Sequence, residues 1–103
     1  MRVRTIATRA GISWSDVGAV ELNEAFAVQS VACIDAWEID PDIVNAKGGA
    51  IAIGHPLGAS GARILGTLAK RLAESGERWG VASICIGVGQ ALAVVLENTG
   101  ARW

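Results

Sequence analysis

Glycine crowds one segment in the middle of this chain, and that crowding restricts the possible fold more than any other feature. Between residues 45 and 61, glycine stands at positions 48, 49, 54, 58 and 61, among alanines, isoleucines and one His-Pro pair. Because glycine destabilises the interior of a helix, a long helix is excluded here. We expect a structured loop with a short strand over Ala50–Ile53.

The segments on either side of this loop alternate between strand and helix patterns. Short apolar runs bounded by turn residues predict strands over 17–22, 80–86 and 90–96. The last two are joined by a tight glycine turn and must be antiparallel. Strands that alternate with helices indicate an α/β fold.

Three helices complete the predicted pattern. The first covers residues 2–10 and ends at Gly11, and a local turn follows at 13–16. The second opens at Asn23-Glu24 and runs to about Trp37, and the third runs from about 58 to 75 and ends at Gly76. The third helix has an expected buried stripe of Ala62, Leu65, Ala69 and Leu72.

Composition excludes several classes of protein. Only 18% of the 103 residues are charged and 51% are hydrophobic, which argues against disorder. A net charge of −1 disfavours nucleic-acid binding. The charge-free run over residues 79–96 approaches membrane-spanning length, but glycines interrupt it, so two strands are favoured and no membrane span is expected.

Few metal-binding or disulfide-forming residues are present. Two cysteines and one histidine do not make a zinc site of the usual spacing, and they do not indicate a secreted disulfide scaffold. The basic start is not followed by an apolar stretch, so no signal peptide is expected. A cytoplasmic protein without a metal is therefore expected.

Three residues are candidates for chemistry. His55 is a core residue, a ligand or a base, and the helix predicted to begin after it favours a neutral base, because a helix N-terminus disfavours the imidazolium. Cys85 ends a predicted strand before a glycine turn and is either a buried apolar residue or an accessible thiol. Asn23 is either a helix N-cap or a functional group at a strand end. Cys33, inside a predicted helix, is expected to pack in the core.

Two nucleotide-binding motifs are only partly matched. The glycine spacing that ends at Gly54 is that of a phosphate-binding loop, but His55 and Pro56 replace the required Lys and Ser/Thr. The Gly87-Val88-Gly89 turn lacks a third glycine and a following helix, so a dinucleotide site is excluded as well.

Three motifs together resemble the thiolase family. Residues 23–27 (NEAFA) resemble its asparagine motif, residues 45–63 (NAKGGAIAIGHPLGASGAR) its long histidine motif, and residues 85–90 (CIGVGQ) its C-terminal cysteine motif. They occur in the family's order and cover essentially the whole chain. The resemblance implies a partial thiolase C-terminal domain over 1–103: a mixed sheet with flanking helices, incomplete at its N-terminal end.

The resemblance also implies the reaction and the site. Thiolases cleave 3-ketoacyl-CoA with coenzyme A, or condense two acyl-CoA molecules, through an acyl-cysteine intermediate. His55 matches the residue that activates the nucleophile and helps bind the thioester oxygen, and Asn23 matches the holder of a water there. Cys85 matches the acid/base at the α-carbon, and the backbone N–H of Gly87 matches a donor of a second oxyanion hole. Ala25 and Phe26 would line the pocket.

The resemblance leaves the nucleophile unaccounted for. That cysteine lies in the family's N-terminal half, and nothing here matches it; Ala91 and Lys47 are minor departures from the motifs. The expected partners are acyl-CoA, an N-terminal thiolase half or subunit, and further copies in a homo-oligomer, with no covalently bound cofactor. The alternatives are a non-catalytic remnant that binds a partner, and a ketoacyl synthase relative, which Cys85 disfavours.

Overall fold

The fold is a three-stranded sheet with helices on both faces. A computed structural model describes residues 7–100. Strand β1 (Val17–Leu22) is followed by helices α1 (Ala27–Trp37), α2 (Ala50–Ile53) and α3 (Ser60–Ser75), and the hairpin of β2 (Trp79–Gly87) and β3 (Gln90–Glu97) comes last. One-turn 3-10 helices lie at Trp14–Asp16 and Pro41–Ile43.

The sheet is mixed, as the sequence predicts. Its order is β1-β2-β3, with β1 parallel to β2 and β2 antiparallel to β3. Leu22 at the end of β1 pairs with Ser83, so the carboxyl ends of both parallel strands point the same way, and β2 continues beyond β1 to Gly87. Ends of parallel strands are where α/β folds place functional groups.

Alternation along the strands supplies a core on each face of the sheet. Val20 and Val81 pack with Trp37 of α1 in one cluster. Ala19 packs with Leu68 of α3 in the other. Gly80 lets α3 approach closely, because a Cβ there would overlap the Leu68 side chain.

The charge-free run forms the β2–β3 hairpin, which confirms the strand interpretation. Across residues 7–100, no helix is long and apolar enough to cross a bilayer. The structure also confirms two predicted helix ends: Gly11 and Gly76 both have positive φ, and Ile12 N–H donates to Ala7 O in the pattern of a glycine cap. Residues 2–6 of the first predicted helix lie outside the described residues.

Helix α1 begins at Ala27, so the prediction that Asn23-Glu24 opens it is wrong. Asn23 N–H donates to Ser83 O at 2.9 Å, which extends the sheet by one residue instead of starting a helix. A tertiary hydrogen bond therefore overrides the local capping preference of Asn.

The strand predicted at Ala50–Ile53 is also wrong, because this segment is the one-turn helix α2. Glu24 Oε1 accepts the Ile51 N–H at 3.3 Å and thereby satisfies a free donor of the first turn. A Cβ at Gly49 would overlap the same carboxylate, so a larger residue there would require the Glu24 side chain to move.

The buried stripe of α3 differs from the prediction. Ala62, Leu65 and Ala69 are exposed, and only Leu72 of the predicted set is buried. The helix instead turns Ile64, Leu68 and Leu72 toward the sheet. Because α3 carries apolar residues on two faces, periodicity alone cannot identify the one that meets this sheet.

Candidate functional site

One open cavity of about 700 Å³ lies where β2 ends and α3 begins. Five of the six predicted site residues line it: Ala25, Phe26, His55, Cys85 and Gly87. The remaining wall is mainly apolar and includes Leu57, Ile84, Ile86 and Leu92. Segments that are 60 residues apart in sequence thus meet around one space.

His55 is held between two side chains. It lies in the loop between α2 and α3 and is half-buried. Its Nε2 is 3.3 Å from Asn23 Nδ2, and its Nδ1 is 2.5 Å from Ser60 Oγ. These contacts fix the plane and direction of the imidazole before any ligand arrives.

Asn23 lies behind His55 and is fixed more firmly still. Only 2% of it is exposed, and its backbone is tied to β2 through Ser83 O. The Asn45 side-chain amide makes two hydrogen bonds to the backbone of the preceding residue, Leu22. Asn45 Oδ1 accepts the Leu22 N–H at 2.9 Å, and Asn45 Nδ2 donates to the Leu22 carbonyl oxygen at 2.7 Å. Asn23 Oδ1 is buried with no partner among residues 7–100.

Cys85 lies in a contrasting environment. Its thiol is free and exposed near the end of β2, where the pairing with β3 becomes irregular between Cys85 and Gly87. Gly87, Val88 and Gly89 all have positive φ, at 101°, 23° and 72°. Positive φ is disfavoured for a β-branched residue, so Val88 strains the turn that follows the thiol.

A buried ion pair supports the strand that carries Asn23. Arg71 of α3 donates to Glu21 Oε2 at 2.5 Å and to Val20 O and Ile43 O at 2.9 Å each. Burial raises the pKa of Glu21 above its ordinary value, although the Arg71 guanidinium opposes that shift. Arg71 and Glu21, called the Arg71–Glu21 clip below, thus join α3 to β1 and to the 3-10 helix that precedes the glycine-rich segment.

Sequence reasoning missed four of these supporting residues. Ser60 and Asn45 lie inside the histidine motif, and Glu24 inside the asparagine motif, but the motifs give no role to them. Arg71 follows exposed Lys70 and reads as one more surface cation. Only the tertiary fold reveals their partners. Cys33 is buried in the core, as predicted.

The cavity brings two groups that can transfer protons next to a mainly apolar wall. His55 offers a ring nitrogen and Cys85 an accessible thiol, and Gly87 lies at the turn beside the thiol. Between residues 7 and 100, no three His, Cys, Asp or Glu side chains are arranged to hold a metal ion.

Comparison with known proteins identifies similar chains. A family model described as "Thiolase, C-terminal domain" matches residues 1–98. The 3-ketoacyl-CoA thiolase of Aliivibrio salmonicida (strain LFI1238) is 49% identical over 93 residues, which are 87% of this chain and 24% of that protein. The 3-ketoacyl-CoA thiolase of Yersinia pestis (strain Pestoides F) is 51% identical over the same shares.

Solved structures of 3-ketoacyl-CoA thiolase are also similar to this chain. Human mitochondrial 3-ketoacyl-CoA thiolase in complex with CoA is 43% identical, with a TM-score of 0.91 over 94% of this chain and 25% of that one. A second structure of human mitochondrial 3-ketoacyl-CoA thiolase gives 45% identity and a TM-score of 0.87, covering 90% of this chain and 24% of that one. This chain therefore spans about a quarter of the length of the proteins it matches.

Proposed function

This chain belongs to the thiolase family and matches the C-terminal domain of thiolases. We propose that it forms part of an active site that transfers acyl groups to and from coenzyme A. The substrate is a 3-ketoacyl-CoA in the cleavage direction and two acyl-CoA molecules in the condensation direction. Coenzyme A is a substrate, and no bound cofactor takes part. The observation that carries the proposal is the convergence of His55, Cys85 and Gly87 on one cavity.

Each residue has a role in the proposed cleavage. A thiol from outside these 103 residues loses its proton to His55 and attacks the 3-keto carbon, and the bond between carbons 2 and 3 breaks. The electron pair of that bond passes to the thioester as an enolate, whose α-carbon then takes the proton of Cys85. In the second half, the coenzyme A thiol gives its proton to the Cys85 thiolate and attacks the acyl carbon, and the first sulfur leaves and takes back the proton held by His55.

The stabilising groups fit these steps. His55 and a water held by Asn23 would bind the thioester oxygen, where negative charge develops in the enolate. The Gly87 N–H would bind the oxygen of the attacked carbonyl. Ala25 and Phe26 would line the pocket near the thioester; the 70% exposure of Phe26 suits a residue that meets substrate or another domain.

The proposed site is shared with another protein segment, which carries the nucleophile. One feature of the chain supports this. Beside the β2–β3 hairpin, α3 exposes Ala62 and Leu65, and these residues join Ile84, Leu92 and Val94 around a second apolar cavity of about 200 Å³. A contiguous exposed apolar surface marks an interaction site.

The remaining expectations stay predictions. They are that residues 1–103 are one partial domain, that the assembled protein is a homo-oligomer and that it is cytoplasmic. The N-terminal half would be either a separate subunit or another part of a longer chain.

The test is thiolysis of acetoacetyl-CoA by the 103-residue chain, alone and with a co-expressed N-terminal thiolase half. We expect no turnover by the chain alone, and turnover by the mixture that disappears in the His55→Ala variant. An adjacent reading frame whose product carries the nucleophile and co-purifies would support the shared site. If the two proteins form a folded complex that has no activity, the non-catalytic remnant is favoured.

A further inference from the structure

Ser60 is the first residue of α3 and is completely buried beside His55. Its Oγ lies 2.5 Å from His55 Nδ1 and 3.1 Å from the Pro56 carbonyl oxygen. We propose that Ser60 is a positioning residue that holds the His55 imidazole in one tautomer, with the proton on Nδ1 and a lone pair on Nε2.

The Nδ1 side of the ring supports this tautomer. A serine hydroxyl has one proton to donate and can accept as well. Pro56 O lies 3.1 Å from Oγ and can take this proton, although it also accepts the backbone N–H groups of Ala59 and Ser60 at 2.9 Å. With the hydroxyl proton on Pro56 O, Oγ presents a lone pair to His55, and Nδ1–H is the donor in the 2.5 Å contact.

The Nε2 side gives the same assignment independently. The Asn23 group that faces Nε2 is the amide nitrogen Nδ2, which only donates, so Nε2 must accept. The opposite amide orientation would bury two N–H donors where Oδ1 now lies without a partner. Orphaned buried donors are rarer than orphaned acceptors, which favours the orientation observed.

The two contacts differ in strength, and the difference determines which nitrogen is available. The Ser60 contact is short, whereas 3.3 Å is long for a hydrogen bond to Asn23. Nε2 can therefore release Asn23 and take a proton, while Ser60 keeps the ring oriented. Only this use of Nε2 as a base rests on the proposed function; the tautomer is a property of the chain itself.

The experiment is ¹⁵N NMR of the ring nitrogens in the 103-residue chain, without substrate. His55 is the single histidine, so its two nitrogens are unambiguous. At a pH where the ring is neutral, we expect a protonated-type shift at Nδ1 and a lone-pair shift at Nε2. We also expect a slowly exchanging, downfield Nδ1–H proton, which reports the hydrogen bond to Ser60 without any variant.

A pair of serine variants isolates the role of the hydroxyl. Ser60→Ala is expected to lower the ratio of the Nδ1–H to the Nε2–H tautomer about tenfold, the effect of losing one buried hydrogen bond. Ser30→Ala is the matched control, because Ser30 Oγ is buried on α1 without a partner in the described part of the chain. That variant should keep the wild-type ratio.

Two results would overturn the proposal. One is wild-type protein with the proton on Nε2, or with a rapidly exchanging Nδ1–H. The other is a folded Ser60→Ala variant that retains the wild-type ratio. If Ser60→Ala does not fold, the wild-type spectrum still decides. Failure of the acyl-transfer test leaves these spectra unchanged, so the two proposals can fail separately.

Discussion

The two sides of the cavity are built in different ways. On the histidine side, meaning Asn23, His55 and Ser60, both ring nitrogens of His55 and the backbone N–H of Asn23 have hydrogen-bond partners within the chain. On the cysteine side, meaning Cys85 and the turn at residues 87–89, the thiol is exposed and the turn is strained. Under the proposed function, this chain arranges the histidine side with its own hydrogen bonds, whereas we expect another protein segment to cover the cysteine side.

The largest expected effect tests whether both sides are used in one reaction. In the complex with an N-terminal thiolase half, His55→Ala and Cys85→Ala should each lower kcat/KM for acetoacetyl-CoA by about 10²–10⁴-fold, the usual contribution of a general acid or base. Steady-state thiolysis assays measure this.

Cys33→Ala is the control for the cysteine variant, because that thiol is buried in the core away from the cavity. It should keep kcat/KM. Loss of activity on one side only would mean that the two sides do not act together.

The support beneath the histidine side should show the next largest effect. Arg71→Ala leaves the buried Glu21 carboxylate uncompensated and should lower the free energy of unfolding by about 3–5 kcal/mol. Urea unfolding measures this loss. Lys70→Ala, which removes only an exposed cation 3.8 Å from Glu74, should change stability by less than about 0.5 kcal/mol. Equal effects would show that Arg71 does not support β1.

The pH dependence of the free energy of unfolding tests the Arg71–Glu21 clip. A raised pKa means that folding favours protonated Glu21. The contribution of Glu21 to the free energy of unfolding is therefore fully present below its ordinary pKa of 4.5. It is lost as the pH rises through the raised pKa of the folded protein. Over that window, stability relative to Glu21→Gln should fall by up to about 1.4 kcal/mol per pH unit. If the stability of the wild type relative to Glu21→Gln rises with pH over this window, the prediction is wrong.

The smallest effect concerns the strained turn on the cysteine side. Val88→Gly should raise the free energy of unfolding by about 1 kcal/mol, because glycine adopts positive φ without strain. Val31→Gly, at an exposed position in the interior of α1, should instead lower the free energy of unfolding by about 0.5 kcal/mol. Effects of the same sign in the two variants would show that Val88 is not strained.

The sequence predicts local features well and tertiary partners poorly. Strand β1 follows from its apolar run and the end of α3 from its capping glycine, Gly76, and the motifs bring five predicted site residues to one cavity. The failures share a cause. Asn23 caps no helix, and Ala50–Ile53 forms no strand, because hydrogen bonds to distant residues outweigh local preference. The roles of Ser60 and Arg71 likewise depend on groups that only folding brings near.

The most direct test of the shared site replaces the matching quarter of a bacterial 3-ketoacyl-CoA thiolase with this chain. We expect the folded chimera to cleave acetoacetyl-CoA with coenzyme A, and to lose at least about 100-fold in kcat when Cys85→Ala or His55→Ala is introduced. A folded chimera that binds coenzyme A without turnover would contradict the proposed role. Turnover that is unaffected by both substitutions would contradict it equally.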